Sequence, residues 1–255
     1  MNQQYLRYPQ ILQYPKISIL RRKNSQMTPL LWEFLKDVHQ GLRSLIYPQI
    51  CIMCGMHPGE ICSGCEKSWT RHPSFTRFNE VPSVSIAMYE FGVSNVILKA
   101  KEERNKCAQK IIATSLFRAI SFLKPKEVQD FVIVPIPSTP QAIRKRGESF
   151  LQPILDLVIQ QAAHVGEKWY WRELLVHSKK VRDQAGLTSQ QRQVNLEGVF
   201  RLRDGAGELR PIIVVDDVVT TGATLRNAIW ALNERKMTVL GAATACASSH
   251  QLLIR

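Results

Sequence analysis

One stretch of the chain, IIVVDDVVTTGATL at residues 212–225, constrains the fold more than any other. An uninterrupted apolar run leads into the adjacent Asp216 and Asp217, and such a run is typical of a buried strand in a parallel sheet. A loop of small and hydroxyl-bearing residues follows and leads into a helical pattern. Ligands of open α/β sheets bind beyond the carboxyl ends of the strands, so we expect both carboxylates to face a ligand.

The loop after the acidic pair provides donors for an anion. Backbone N–H groups at a helix start, together with threonine hydroxyls, can surround a phosphate. Carboxylates beside a phosphate repel it unless they contact neutral groups, and the hydroxyls of a ribose are neutral donors. The pattern therefore predicts a sugar 5-phosphate, with its hydroxyls on Asp216 and Asp217 and its phosphate on the loop Thr220, Thr221, Gly222, Ala223 and Thr224.

Two other nucleotide-binding patterns do not fit the sequence. An apolar strand that ends in two aspartates also occurs in P-loop NTPases, but the required G-x-x-x-x-G-K-[ST] is missing. The G-x-G-x-x-G of dinucleotide-binding folds is missing as well. A strand with incidental surface acids remains as the alternative.

The rest of the chain alternates between strand and helix patterns. Apolar strands separated by helices indicate an α/β fold whose parallel sheet is covered on both faces. We expect strands at 84–91, 131–137, 169–176, 198–202 and 237–247, and helices at 30–46, 94–123, 140–162, 188–194 and 223–235.

Four cysteines form a compact module with the spacing Cys51-x2-Cys54-x7-Cys62-x2-Cys65. Two neighbouring C-x-x-C pairs provide four thiolates that can surround Zn²⁺ tetrahedrally. Because four ligands leave no position for water, we expect the zinc to be structural. Redox or iron–sulfur chemistry is the alternative.

The net charge of +13 favours phosphate-rich partners, namely nucleotides, sugar phosphates or nucleic acid. Simple solubility explains the same charge equally well. No apolar run is long enough for a transmembrane helix, and no secretory signal is recognisable, so we expect a cytoplasmic protein without membrane insertion.

Three regions are expected along the chain. Residues 1–27 read as a basic tail, a short packed arm or an extended start before Met27. Residues 28–80 hold a helix and the cysteine module, and residues 81–255 hold the α/β domain.

The stretch at 212–225 resembles the signature with which type I phosphoribosyltransferases bind 5-phosphoribosyl 1-pyrophosphate (PRPP). The resemblance implies a Rossmann-like parallel sheet and PRPP bound together with Mg²⁺. It also implies the roles given above for Asp216, Asp217 and the loop that follows them.

Two further stretches resemble ComF-type proteins. VPIPSTPQAIRKRG (134–147) is similar to a V-P-x-P…R-x-R-G block, and its Arg144, Lys145 and Arg146 form a cationic run that can hold pyrophosphate. A solvated basic face is the alternative. The segment 179–200 is similar to Q-x-x-L-x-x-x-x-R-x-x-N-L and is expected to be a mobile loop that closes over the pyrophosphate, or else a surface connection. The loop residues singled out are Arg182, Gln184 and Arg192.

A zinc module followed by a phosphoribosyltransferase domain is the ComF arrangement, which implies a role in competence and DNA uptake. Two hypotheses follow. The chain is a glycosyltransferase-class enzyme with an unknown nitrogenous acceptor, or it is a non-catalytic PRPP- or nucleotide-binding accessory that contacts single-stranded DNA or a helicase partner. Lys99 is expected to be a solvated helix residue. Trp169 and Trp171 pack in the core or stack on bases.

Overall fold

The computed structural model describes residues 50–56, 59–70, 73–78, 80–178 and 198–248. The helices are α1 (Ser63–Thr70), α2 (Phe91–Glu102), α3 (Lys106–Leu123), α4 (Pro140–Arg146), α5 (Leu151–His164) and α6 (Ala223–Asn233). The strands are β1 (Ser74–Phe78), β2 (Val81–Met88), β3 (Val132–Pro135), β4 (Tyr170–Trp171), β5 (Leu175–His177), β6 (Phe200–Leu202), β7 (Ile212–Val219) and β8 (Val239–Ala247). Within these ranges, no helix combines the length and apolarity that a bilayer crossing requires.

A six-stranded sheet with the order β1-β2-β8-β7-β3-β4 forms the centre of the fold. Strand β1 runs antiparallel to β2 at one edge, and every other neighbouring pair is parallel. Strands β5 and β6 form a separate antiparallel pair. The α/β class with a mostly parallel sheet, predicted from the alternating pattern, is confirmed.

Apolar side chains cover both faces of the sheet, which explains why its central strand has no polar alternation. On β7, Ile213 and Val215 belong to the core that includes residues of α2, α3 and α5. Ile212 and Val214 belong to the core that includes residues of α6 and of the β5–β6 pair. All four side chains are fully buried.

Two helices that the sequence predicts as continuous are each broken in two. The pattern at 94–123 is divided at 103–105, where the Asn105 side chain accepts a hydrogen bond from the N–H of Ala108 at 3.0 Å and caps α3. The pattern at 140–162 is divided at Gly147, whose φ of +82° ends α4 in a left-handed conformation. Local capping therefore overrides an apolar periodicity that continues across both breaks.

The cysteine module shares a core with the sheet. Cys51, Ile52, Met53 and Trp69 are buried in the same core as α3. The indole N–H of Trp69 donates a hydrogen bond to the hydroxyl of Ser115 on α3 at 2.6 Å. The boundary at 80/81 stays a prediction, and the tail, the helix at 30–46 and the helix at 188–194 lie outside the described residues.

Candidate functional site

The two aspartates lie inside strand β7 rather than at its end. The strand continues to Val219, and Asp216 pairs with Thr244 of β8 in register. The backbone N–H of Asp217 donates to Oδ1 of Asp216 at 2.9 Å. The carboxylates therefore sit on a backbone that is fixed by the neighbouring strand, close to the carboxyl end of β7.

A cavity of about 280 Å³ opens beside these carboxylates. Both aspartates line it, and so do Ser138 and Thr139 from the loop after β3. Its volume approaches the lower end of ligand pockets, which is about 300 Å³. The cavity thus occupies the place where open α/β sheets bind ligands.

Asp217 faces a cation that the sequence did not single out. It is 7% exposed, and its Oδ2 lies 2.6 Å from Nζ of Lys101 on α2. The approach is off the direction of a hydrogen bond, and Oδ2 has no hydrogen-bond partner among the described residues. Lys99, two positions earlier on α2, does not line the cavity, whereas Lys101 does. Only the packing of α2 in the fold distinguishes the two lysines.

The surroundings of the Asp216 carboxyl favour its protonated form. Burial, followed by the charge of the adjacent Asp217, raises the pKa of Asp216 well above its ordinary value. The N–H of Asp217 and the Lys101 ammonium oppose this rise without cancelling it. The cavity therefore favours ligand groups that satisfy the carboxyl oxygens of Asp216 by hydrogen bonding.

The loop between β7 and α6 has a fixed shape. Gly222 adopts a left-handed φ of +73°, and its Cα packs against the Phe78 ring so closely that any Cβ would overlap the ring. Arg226 donates from Nη2 to the carbonyl oxygen of Thr221 at 2.9 Å and stacks on Phe78 with its Cζ 5.7 Å from the ring centroid. An aromatic ring and a guanidinium group thus hold the loop from one side.

The loop and the cavity are separate features. Of the described residues that line the cavity, none belongs to 220–224. Thr220, Thr221 and Thr224 are exposed, whereas Gly222 is buried. In the first turn of α6, the N–H of Ala223 donates to Oγ1 of Thr221 at 3.3 Å. The N–H groups of Thr224 and Leu225 have no intrahelical acceptor and can bind an anion.

The three cations of the predicted pyrophosphate run have different surroundings. Arg144 is exposed on α4. Lys145 donates from Nζ to Oε2 of Glu102 at 2.5 Å, and this contact lowers the pKa of Glu102. Arg146 alone among the three lines the cavity.

The residues of the predicted mobile loop, Arg182, Gln184 and Arg192, lie outside the described residues. The strands on either side of them are joined to the cavity wall. Nε2 of His177 on β5 lies 3.0 Å from the carbonyl oxygen of Pro137, and Pro137 lines the cavity. The His177 ring also packs on Phe200 of β6, with 5.1 Å between ring centroids.

The four module cysteines form a cluster with the dimensions of a zinc site. The thiol sulfurs of Cys51, Cys54, Cys62 and Cys65 all lie within 4.8 Å of one another. Sulfurs at about 2.3 Å from a tetrahedral zinc are spaced by about 3.8 Å, and Sγ of Cys54 is 3.9 Å from Sγ of Cys62. The cluster can therefore hold zinc.

Backbone N–H groups prepare one of these cysteines to bind a cation. Burial opposes ionisation of Cys51, but hydrogen bonds from the N–H groups of Cys54, Cys62 and Met53 together lower its pKa to about 6. The N–H of Cys62 lies 3.4 Å from the Cys51 sulfur. No disulfide links the described cysteines.

The paired tryptophans contribute to packing. Trp169 is buried and stacks on Phe117 with a centroid distance of 5.0 Å. Trp171 donates from its indole N–H to Oδ1 of Asp156 at 3.0 Å. Tyr170 is exposed between them, under the guanidinium of Arg210 at 5.5 Å.

Residues 142–253 match the family model of the phosphoribosyl transferase domain. The matched range holds Arg144–Arg146, both aspartates and the loop 220–224, which supports the type I phosphoribosyltransferase superfamily. Among curated proteins, none matches the chain.

Two solved structures are similar to the chain. The structure of an allosteric regulatory enzyme of purine biosynthesis is 16% identical with a TM-score of 0.30 and covers 54% of this chain, which spans 25% of that enzyme's length. A crystal structure of adenine phosphoribosyltransferase is 13% identical with a TM-score of 0.36, over 73% of this chain and 91% of that one.

Proposed function

We propose that the chain binds PRPP with Mg²⁺ and transfers its phosphoribosyl group to a nitrogenous acceptor. One observation carries the proposal. Within the region that matches the phosphoribosyl transferase domain, a single cavity brings Asp216 and Asp217 together with Arg146, the last cation of the predicted pyrophosphate run. A sugar that bears both hydroxyls and a diphosphate complements carboxylates on one side and a guanidinium group on the other.

Each residue has a role in this proposal. Asp216 and Asp217 accept hydrogen bonds from the ribose hydroxyls and orient the ring. The 5-phosphate binds to the amides and hydroxyls of Thr220, Thr221, Gly222, Ala223 and Thr224. Arg146 binds the pyrophosphate. Arg144 and Lys145 add positive charge on the same helix, and Arg182, Gln184 and Arg192 belong to the segment between β5 and β6.

In the proposed reaction, the bond between C1 of the ribose and the pyrophosphate oxygen breaks, and pyrophosphate leaves with the electron pair. The acceptor nitrogen forms a bond to C1 and loses its proton to solvent. Carboxylate and phosphate oxygens are the ligands that Mg²⁺ prefers, so the group fits the residues present; when bound, it neutralises charge on the leaving pyrophosphate. The chain's own contribution is to hold the ring and the leaving group in line.

The cysteine cluster holds a structural zinc in this proposal. Four thiolates complete a tetrahedral site, so no position remains for a substrate. The module between Cys51 and Cys65 then keeps Trp69 against Ser115 on α3. Zinc thereby supports the core on which α2 and its Lys101 rest.

A ComF-type role in competence and DNA uptake is the cellular function that we infer. The combination of a four-cysteine cluster and a phosphoribosyl transferase domain in one chain supports it. The surplus of cations supports contact with single-stranded DNA or with a helicase that handles it.

The alternative is a non-catalytic accessory that binds PRPP or a nucleotide. The ion pair between Lys101 and Asp217 favours it, because one of the two carboxylates already has a partner. Pyrophosphate release, measured with PRPP, Mg²⁺ and a panel of nitrogenous bases, separates the two. An enzyme shows turnover that Asp216→Asn lowers about 100-fold. An accessory binds PRPP without release, and no binding at all contradicts both.

A further inference from the structure

Two cations share one aromatic ring in the cavity wall. Nζ of Lys101 lies 5.2 Å from the ring centroid of Phe150, and Cζ of Arg146 lies 5.9 Å from the same centroid. Lys101, Arg146 and Phe150 all line the cavity that holds the two aspartates. Like charges held against one ring repel each other, and an anion placed between them relieves the repulsion.

Only one of these cations is neutralised within the described part of the chain. Lys101 pairs with Asp217, whereas no described carboxylate lies within ion-pair distance of Arg146. Nε of Arg146 is buried and has no hydrogen-bond partner in the described ranges. A buried donor without an acceptor is costly, and an oxygen atom of a bound anion can provide the acceptor.

The neighbouring cations on α4 are placed differently. Lys145 is held by Glu102 at 2.5 Å, and Arg144 is exposed. Neither residue lines the cavity. The sequence groups three cations into one run, whereas the structure sets Arg146 beside Lys101, a residue of a different helix.

We propose that Lys101 and Arg146, against Phe150, form the anion subsite of the cavity, and that Lys101 passes from Asp217 to the ligand's diphosphate on binding. This inference rests on the proposed function, because it takes the ligand to be a ribose that carries a diphosphate. The ammonium of lysine is a point charge on a flexible stem with three rotatable donors. The Lys101 side chain is 33% exposed, so its stem has room to move.

The exchange leaves no charge without a partner. The Lys101 ammonium gains a diphosphate oxygen, and Asp217 gains the ribose hydroxyls that donate to it. Arg146 gains an acceptor for its unpaired Nε. The subsite therefore selects ligands that bring both a diol and an anion.

The test uses calorimetry of the full chain with three probes, each with Mg²⁺: inorganic pyrophosphate, ribose 5-phosphate and PRPP. Lys101→Met is expected to lower the affinities for pyrophosphate and PRPP about tenfold or more. The affinity for ribose 5-phosphate is expected to change by less than about twofold. Lys99→Met is the matched control, because it removes the same charge two positions earlier on α2. We expect it to leave all three affinities within about twofold.

A double variant guards against misfolding. Lys101→Met leaves Asp217 buried without its cation, and Lys101→Met with Asp217→Asn removes that unpaired charge. Weak pyrophosphate binding by a double variant with the wild-type melting temperature supports the subsite. Recovered pyrophosphate affinity overturns it, because Lys101 then acts only by neutralising Asp217.

Two other outcomes overturn the subsite. In the first, Lys101→Met has the same affinities as Lys99→Met. In the second, Lys101→Met loses as much affinity for ribose 5-phosphate as it loses for pyrophosphate. The proposed function fails separately. Wild-type protein that binds pyrophosphate through Lys101 but does not bind PRPP keeps the subsite and contradicts the function. If the wild type binds PRPP and Lys101→Met binds it with the same affinity, the proposed function is supported and the subsite is contradicted.

Discussion

The ring of Phe78 fills the space into which a side chain at Gly222 would extend. Phe78 ends the edge strand β1, and Gly222 precedes α6, so this contact joins the sheet edge to the predicted phosphate loop. Two separate features therefore require glycine at position 222: its left-handed φ and the proximity of the Phe78 ring.

Gly222→Ala is therefore expected to destabilise the protein by more than backbone strain alone. Gly205→Ala is the matched control, because Gly205 has the same φ of +73° but no atom within 4 Å of its Cβ position. We expect about 1 kcal/mol for the control and about 2–4 kcal/mol for Gly222→Ala, measured as the free energy of unfolding in urea. Equal losses for the two variants contradict the contact with Phe78.

Asp216 is expected to make the folded protein less stable as the pH rises. Its pKa is raised in the folded state, so the folded protein holds this proton more tightly than the unfolded chain does. Its favourable contribution is complete below the unfolded pKa, near 4, and is lost as the pH rises through the folded pKa. Asp216→Asn should therefore increase the free energy of unfolding at pH 7 and lose this advantage in acid. A variant less stable than wild type at pH 7 contradicts the prediction.

Glu208 is expected to show the opposite pH dependence. Hydrogen bonds from Arg210, with further help from Arg172, lower the pKa of Glu208 to about 2. Its stabilising contribution is present above the unfolded pKa of about 4.3 and is lost as the pH falls towards 2. Glu208→Gln should lower the free energy of unfolding at pH 7 by about 1–3 kcal/mol. In urea titrations down to pH 3, the difference in free energy of unfolding between wild type and variant should become smaller. A difference that is constant with pH contradicts the lowered pKa of Glu208.

The cysteine cluster is expected to bind one zinc per chain. Replacing Cys51, Cys54, Cys62 or Cys65 by Ser should remove the zinc and lower the melting temperature, because Trp69 loses its support against α3. Cys107→Ser is the control, since burial raises the pKa of Cys107 to about 11 and its thiol is not part of the cluster. Metal analysis by emission spectrometry checks the stoichiometry, and zinc retained in the four variants contradicts the site.

Local patterns predicted the sheet and the cysteine cluster because short sequence ranges determine both. The apolar run before Asp216 identifies β7, and two C-x-x-C pairs determine which thiols can meet. Strand β1 is not among the strands expected from the sequence, although its Arg77 pairs with Pro82 across the edge hairpin.

The contacts of the candidate site depend on residues that are distant in sequence. Lys101 reaches Asp217 through the turn of α2 and its packing on the sheet, and no spacing within α2 distinguishes it from Lys99. The contact between Phe78 and Gly222 likewise exists only after the edge strand has paired. Tertiary contacts of this kind leave no periodic signal in one sequence.

Calorimetric titration of PRPP with Mg²⁺ into the full chain tests the central proposal most directly. We expect the wild type to show saturable binding at one site per chain. We also expect the affinity to fall by about tenfold or more in Asp216→Asn and Asp217→Asn variants whose far-UV circular dichroism is that of the wild type. Absence of binding by the wild type at low salt, or unchanged affinity in both variants, would contradict the role of the two carboxylates.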